Sequence, residues 1–279
     1  NYARAKVING GGGGSHHNGG GGGGANFSAG GNGGPGYNGS GAGCPAISSA
    51  GGVGGISLAP HISNNRVFFG GGGGGGQQNN TRSSAGGAGA GLIYIKANEL
   101  ITIGSCGGLR ISANGSFAAN VGNDGAGGGG AGGSIVLNIP TFNIIGSCPL
   151  QVSANGGDGG SVNSSTHAGG GGGGQGVVMF LNNQPNVNIT TTTSNGIGGC
   201  NNSSCNSQAN PGSGPSNTGV LDNAGLPVEL ISFEAQLLPN LKSVLLTWIT
   251  EVEINNEGFE IEHSRDGVDF VNKYFKEGA

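Results

Sequence analysis

The sequence predicts an all-β protein, in which glycine-rich repeats of short strands and packed extended glycine segments are followed by a partial β-sandwich. Glycine contributes 68 of the 279 residues, whereas charged residues make up 9% and aromatic residues 5%. The glycines occur in long runs, and a unit of about 42 residues recurs along the chain. Beyond residue 224 the glycines become rare and alternating apolar residues replace them. We therefore expect a glycine-rich repeat domain at 1–224 and a sandwich segment at 225–279.

The composition argues against several protein classes. Hydrophobic residues reach 34% and the net charge is only -4, so the chain does not resemble a charged disordered polymer. The glycines come in runs and not at every third position, which excludes collagen. No basic patch points to nucleic acid, and no stretch of 18 apolar residues predicts a membrane-spanning helix. The first residue is Asn1, so we expect a processed or partial product.

The glycine runs allow two interpretations. They could be flexible linkers. Alternatively, they could form extended helices with three residues per turn, packed side by side and joined by backbone hydrogen bonds. Ordering glycine is entropically costly, and close packing with inter-run bonds would offset that cost. The second interpretation is favoured, with dihedral angles near -75° and +145° or their mirror image. The runs are 10–14, 19–24, 70–76, 127–130 and 169–174.

An internal repeat predicts stacked strands. Short β-branched or apolar strings flanked by glycine are typical of strands and too short for helices. One unit cannot bury its own apolar face, but stacked units can, as in a solenoid with strands about 4.8 Å apart. The matching strings are IGSC at 103–106 and 145–148, ISANG at 111–115 with VSANG at 152–156, and LIYI at 92–95 with SIVL at 134–137 and VVMF at 177–180.

The five cysteines indicate disulfide chemistry and not metal binding. No CxxC pair occurs, which argues against zinc or thioredoxin-like sites. Cys200 and Cys205 enclose a short polar loop and are predicted to form a local disulfide, with two free thiols as the alternative. Stacking would make Cys106 and Cys148 neighbours, either as buried thiols or as a disulfide. Cys44 has no obvious partner.

The segment after residue 225 has the pattern of antiparallel strands. Apolar and polar residues alternate at 244–248 and 258–263, which predicts strands with one buried face. Asp266 and Gly267 form an Asp-Gly pair, a typical turn signal. Glu260 and Glu262 would share an exposed face. These features together predict part of a β-sandwich.

The strings LPVELISFEA, LLTW and EINNEGFEIEHSRDGVDF resemble the domain that precedes the sorting tail in Bacteroidetes surface proteins exported by the type IX secretion system. That domain is similar to fibronectin type III, and the resemblance covers residues 226–279. It implies export across the outer membrane, a secreted or cell-surface location, and Trp248 as a core residue. A complete sandwich has about 100 residues, so only part of one is expected. The glycine-rich part more loosely resembles repeat regions of secreted adhesins and filament proteins.

No catalytic, cofactor-binding or metal-binding residues are predicted, so we do not expect an enzyme. No phosphate-binding GxxxxGK[ST] motif occurs. The acidic residues of 1–224 stand at unrelated repeat positions, and the histidines lie within glycine runs or are isolated. None of these acidic residues and histidines has a partner at ligand or triad spacing. They are Glu99, Asp124, Asp158, Asp222, His16, His17, His61 and His167.

The expected function is that of a structural subunit of an extracellular self-assembling filament, sheath or adhesive surface layer. Low charge favours association, and the expected partner is the protein itself, with glycans and host or abiotic surfaces as further candidates. The alternatives are a monomeric cell-surface adhesin, a ligand- or ice-binding polyglycine protein, and a polysaccharide-active β-helix enzyme. Ice binding would predict regular threonine arrays, and the single cluster is 190–193. The enzyme would require clustered acids.

The N-terminal residues suggest a head-to-tail contact. Residues 1–9 alternate apolar and polar side chains, and Tyr2 and Val7 are the candidate contact residues. Such a segment could add a strand to residues 226–279 of the next subunit, and contacts of this kind that do not close give filaments. The alternative is that the sandwich is completed by residues outside this sequence.

Overall fold

The fold is all-β. The computed structural model describes residues 5–15, 17–37, 50–62, 66–80, 82–202, 209–222, 230–239, 243–250, 258–265 and 269–278. Among these residues the regular elements are strands, apart from the single-turn helix α1 (Ala59–Ile62). The chain divides into two units, Asn1–Ala224 and Gly225–Ala279.

The described residues of unit 1 form nine strands in three parallel sheets. The sheet orders are β1-β4-β7-β9, β2-β5 and β3-β6-β8. We call β1, β2 and β3 layer 1, and β4, β5 and β6 layer 2; β7 and β8 form layer 3. The strands are β1 (Leu92–Lys96), β2 (Glu99–Ile101), β3 (Leu109–Ser112), β4 (Ser134–Asn138), β5 (Thr141–Asn143), β6 (Leu150–Ser153), β7 (Val177–Phe180), β8 (Ile189–Thr192) and β9 (Val220–Asp222).

The strand register follows the sequence repeat. Tyr94 pairs with Val136, which pairs with Met179. Ile111 pairs with Val152, as the matching ISANG and VSANG strings predict. The predicted in-register stacking of repeat units is therefore confirmed for these strands.

The apolar core of unit 1 lies between sheets β1-β4-β7-β9 and β3-β6-β8. Ile135, Leu137, Val152 and Phe180 are fully or almost fully buried within it. Phe142 of β5 meets Phe180 edge to face, with ring centroids 6.1 Å apart. Each such side chain contributes about 1.5–3 kcal/mol on burial. The β-branched residues that predicted the strands therefore also supply the core.

The glycine runs lie side by side and exchange backbone hydrogen bonds. The N–H groups of Gly11 and Gly14 donate to the carbonyls of Gly72 and Gly75 at 2.9 and 2.8 Å. This three-residue step is the period of an extended threefold helix. No described glycine of these runs has a positive φ angle, which selects the left-handed form. The prediction of ordered, mutually bonded glycine runs is confirmed, and the linker interpretation is wrong.

The described residues of unit 2 form two antiparallel strand pairs. β10 (Leu230–Leu237) pairs with β11 (Val244–Thr250), and β12 (Gly258–Ser264) pairs with β13 (Phe270–Glu277). The rings of Trp248 and Phe259 connect β11 to β12, with centroids 5.2 Å apart. The strands predicted at 244–248 and 258–263 are confirmed. The predicted turn at Asp266 and Gly267 lies outside the described residues.

Candidate functional site

Three glycine segments form the centre of unit 1. Every residue of 19–25, 126–132 and 169–174 is buried, and we call these the core segments. Gly21 and Gly24 donate to the carbonyls of Ala126 and Gly129, both at 2.9 Å, so the first two core segments run parallel. Glycine can occupy the middle of this assembly because it brings no side chain between neighbouring backbones.

The first core segment has six neighbours. Successive residues of a threefold helix face three directions. In each direction, the first core segment has one neighbour whose carbonyls accept its N–H groups and one neighbour whose N–H groups donate to its carbonyls. This arrangement satisfies buried backbone groups without any side chain. Segment 19–25 donates to residues within 9–12, 31–34 and 126–129, and it accepts from residues within 52–55, 71–77 and 171–174.

The close approach of backbones makes glycine obligatory at most positions of the runs. A Cβ added to Gly21 would lie 2.0 Å from the carbonyl oxygen of Gly74, and one on Gly128 would lie 2.1 Å from that of Gly22. Gly72 and Gly75 differ, because the nearest atoms to an added Cβ are 3.7 and 3.8 Å away. These two exposed positions could accept a methyl group without moving any neighbour.

A polar layer closes one end of the core segments. Asn18, Asp124 and His167 stand one or two residues before the starts of the three segments. The buried carboxylate of Asp124 accepts the backbone N–H groups of Asn80 and Arg82, each at 2.9 Å. The backbone N–H of Asp124 donates to Nδ1 of His167 at 3.1 Å. Side chains thus complete the backbone hydrogen bonding where the glycine segments begin.

The bonds around His167 fix its neutral tautomer. Nδ1 accepts the N–H of Asp124, so the ring proton belongs on Nε2. Nε2 lies 2.9 Å from Nδ2 of Asn18, while the buried Oδ1 of Asn18 has no partner. We therefore assign the Asn18 amide in the reversed orientation, with Oδ1 accepting the Nε2 proton. Burial lowers the pKa of His167; the charge of Asp124 partly opposes this, and His17 lowers it further.

A second polar layer closes the other end. The fully buried Gln175 donates through Nε2 to the carbonyl of Pro215 at 2.8 Å and to the hydroxyl of Thr218 at 2.9 Å. Its Oε1 accepts the hydroxyl of Thr193 at 2.7 Å. Asn26, after the first core segment, donates through Nδ2 to the carbonyl of Gly132 at 2.9 Å. The glycine lattice therefore ends in hydrogen-bonding side chains on both sides.

Layer 1 forms an exposed edge of unit 1. Strands β1, β2 and β3 each stand at one end of their sheet. Tyr94 is 46% exposed, whereas its register partners Val136 and Met179 are 1% and 3% exposed. In layer 1, Ile101 and Leu109 are also exposed. Edge strands that carry apolar side chains are a template for pairing with another chain.

The cysteines that the sequence singled out connect neighbouring parts of unit 1. Cys106 and Cys148 form a disulfide between layers 1 and 2, with their Cα atoms 4.9 Å apart, and Cys148 is buried. Of the two alternatives for this pair, the disulfide is therefore the one observed. Cys200 is also disulfide-bonded. Cys205 and Cys44 lie outside the described residues, so the pairing of Cys200 with Cys205 stays a prediction.

The remaining predicted residues are not members of the layer 1 strands. Trp248 is half-buried against Phe259 in unit 2, and its role as a sandwich core residue stays a prediction. Tyr2 lies outside the described residues. Val7 is 77% exposed, and its carbonyl accepts the N–H of Gly10 at 2.8 Å in a turn, with Ile8 at a φ of 51°. The extended strand expected over residues 1–9 is therefore interrupted here, because this turn leads the chain into the first glycine run.

The sequence interpretation did not predict the polar end layers. Asp124 was expected without a partner at ligand or triad spacing, and His167 was expected to be isolated; the expectation for His167 is wrong. They are 43 residues apart, which is close to one repeat, and they contact each other. Their common position just before a glycine segment is the sequence signal that could have identified these two residues.

Among the described residues, no group of three or more His, Cys, Asp or Glu side chains is placed to hold a metal ion. The described part of the chain also contains no helix long and apolar enough to cross a membrane. Comparison with known proteins gave no match: no family model matches the chain, and neither does any curated protein or solved structure.

Proposed function

We propose that this chain is a structural subunit of an extracellular, self-assembling filament, sheath or adhesive surface layer. In this proposal, unit 1 is a β-solenoid with packed polyglycine helices, and unit 2 is part of a fibronectin III-like sandwich. The observation that carries the proposal is layer 1, whose three edge strands expose apolar side chains; Tyr94 of β1 and Leu109 of β3 stand in register with Val136 and Leu150, which are buried in layer 2.

A second copy of the chain is the partner that fits layer 1. The strands of layer 1 pair in parallel with those of layer 2 in all three sheets. A matching partner must therefore present strands that run in the same direction as the layer 1 strands. The opposite side of unit 1 ends in β9 and β8. Leu221 of β9 stands in register with Met179, Val136 and Tyr94. Placing β9 of one copy beside β1 of the next would continue this row, and repetition of such a contact gives a filament.

The interior of unit 1 supports a structural role. Its core segments are held by backbone hydrogen bonds in several directions. The Cys106–Cys148 disulfide fits an oxidising location outside the cell. Export by the type IX pathway is part of the proposal and is supported by the resemblance of residues 226–279.

Light scattering and negative-stain microscopy of the full chain test this function. The wild type should form elongated assemblies above a critical concentration. Tyr94→Lys and Ile101→Lys should prevent growth, because a charge on an edge strand opposes pairing. Ile56→Lys changes another exposed apolar residue outside layer 1 and serves as the control. Unchanged growth of both layer 1 variants would contradict the proposed contact.

A further inference from the structure

The outer face of sheet β3-β6-β8 carries rows of hydrogen-bonding side chains. Along each strand, alternate residues point inward, and Val152 is fully buried. The outward residues line a groove of about 380 Å³. The first row contains Arg110, Gln151 and Thr190, and the second contains Ser112, Ser153 and Thr192.

Bonds within the sheet hold part of this face in place. The hydroxyl of Ser153 donates to that of Ser112 at 3.3 Å. Beyond the second row, the backbone N–H of Asn155 donates to Oδ1 of Asn114 at 2.8 Å, and its Nδ2 donates to the hydroxyl of Thr192 at 3.4 Å. These bonds connect all three strands, so the face is preorganised.

The side-chain donors and acceptors of the first row are available to hydrogen-bond a ligand. Arg110, Gln151 and Thr190 are exposed, and their side chains make no hydrogen bond with the described residues. The guanidinium offers five donors, while the amide and the hydroxyl offer donors and acceptors. Neighbouring side chains stand about 4.8 Å apart across the strands and about 6.6 Å apart along them.

The chemistry of the lining selects the class of ligand. Among the described residues that line the groove, Arg110 is the only charged one, and none of them carries a carboxylate. Nucleic acids require several cations, and peptides bind through apolar pockets or strand addition, neither of which this face provides. A polymeric ligand with many hydroxyl groups and some carboxylates could form hydrogen bonds with the side chains of every row.

We propose that this groove binds an acidic, uronate-containing polysaccharide. A carboxylate of the sugar chain accepts two hydrogen bonds from the guanidinium of Arg110, and sugar hydroxyls pair with Gln151, Thr190 and the second row. This binding goes beyond the filament function and does not depend on it. It would let the assembled protein attach to a polysaccharide surface.

Calorimetry with the full chain tests the proposal. The probes are polygalacturonate oligosaccharides and their methyl esters, which share one backbone but differ in charge, together with alginate and hyaluronate oligosaccharides. We expect binding of at least one acidic glycan, and methyl esterification should weaken polygalacturonate binding about tenfold where that glycan binds, since a charge-assisted pair is lost. No binding of any of the three acidic glycans would overturn the proposal.

Variants localise the binding. Arg110→Gln should lower the affinity about tenfold, and Thr190→Val should lower it less, because a bond to a charged group is stronger than a neutral one. Arg66→Gln removes the same charge from an exposed residue outside the groove and should leave binding unchanged. Equal affinities of wild type and Arg110→Gln, with unchanged melting temperatures, would overturn the site. Tyr94→Lys should retain glycan binding, which separates this test from that of assembly.

Discussion

At single residues, the absence of a side chain determines the packing of the glycine segments. At Gly128 an added Cβ would collide with a backbone carbonyl, whereas at Gly72 it would make an ordinary van der Waals contact, 3.7 Å from the nearest carbonyl oxygen. Both residues belong to runs that look alike in sequence. A uniform run carries no information about which of its three faces is enclosed, so this difference could not be predicted from the residues alone.

Gly128→Ala should therefore destabilise unit 1 strongly. Backbone must move to admit the methyl group, and the free energy of unfolding should fall by about 3 kcal/mol or more. Gly72→Ala is the matched control and should change it by less than about 1 kcal/mol. Urea unfolding of the two variants beside the wild type measures both effects. Similar losses for both variants would contradict the enclosed lattice.

His167 should make stability depend on pH. Its pKa in the folded protein is lowered from 6.5, mainly by burial, so the unfolded chain takes up the proton first as the pH falls. The stabilising contribution is complete above about pH 6.5 and is lost as the pH falls towards the folded pKa. We expect the melting temperature of the wild type to fall between pH 7.5 and 5, and His167→Gln to show a smaller change. Identical pH profiles would show that His167 is not responsible.

At the scale of elements, the recurring strings predicted strands and register well. The matching strings around Ile111 and Val152 correctly aligned β3 with β6, because β-branched residues mark both the strand and its buried face. The neighbours of the core segments were not predictable in this way. The bond of Gly21 to Ala126 joins segments more than 100 residues apart, and glycine offers no side-chain pattern to specify the partner.

The disulfide between layers should add to the stability of the stacked strands. Cys106 and Cys148 are 42 residues apart in sequence, and closing a loop of this length stabilises a fold by about 2–4 kcal/mol. The double variant Cys106→Ser and Cys148→Ser should lose about that amount in urea unfolding under oxidising conditions. The wild type with reductant is the comparison. No loss in either sample would mean that strand pairing alone holds the layers.

At the scale of the whole molecule, the glycine lattice and the strands have different roles in the proposed assembly. The core segments are closed by polar layers on both ends, through residues such as Asp124 and Gln175. At layer 1 of the stacked strands, in contrast, the apolar side chains of Tyr94 and Leu109 are exposed in the described part of the chain. Growth by addition of copies is therefore expected along the stacking direction of the layers.

An intermolecular disulfide tests this central claim most directly. In the proposed stack, Tyr94 of one copy lies beside Leu221 of the next, at the spacing of about 4.8 Å between neighbouring strands, which a disulfide can span. The chain with both Tyr94→Cys and Leu221→Cys, oxidised and run on a denaturing gel, should give a ladder of covalent oligomers. The pair Tyr94→Cys and Ile56→Cys is the control and should give none. Monomer alone from the first pair, at concentrations where the wild type assembles, would contradict head-to-tail stacking through layer 1.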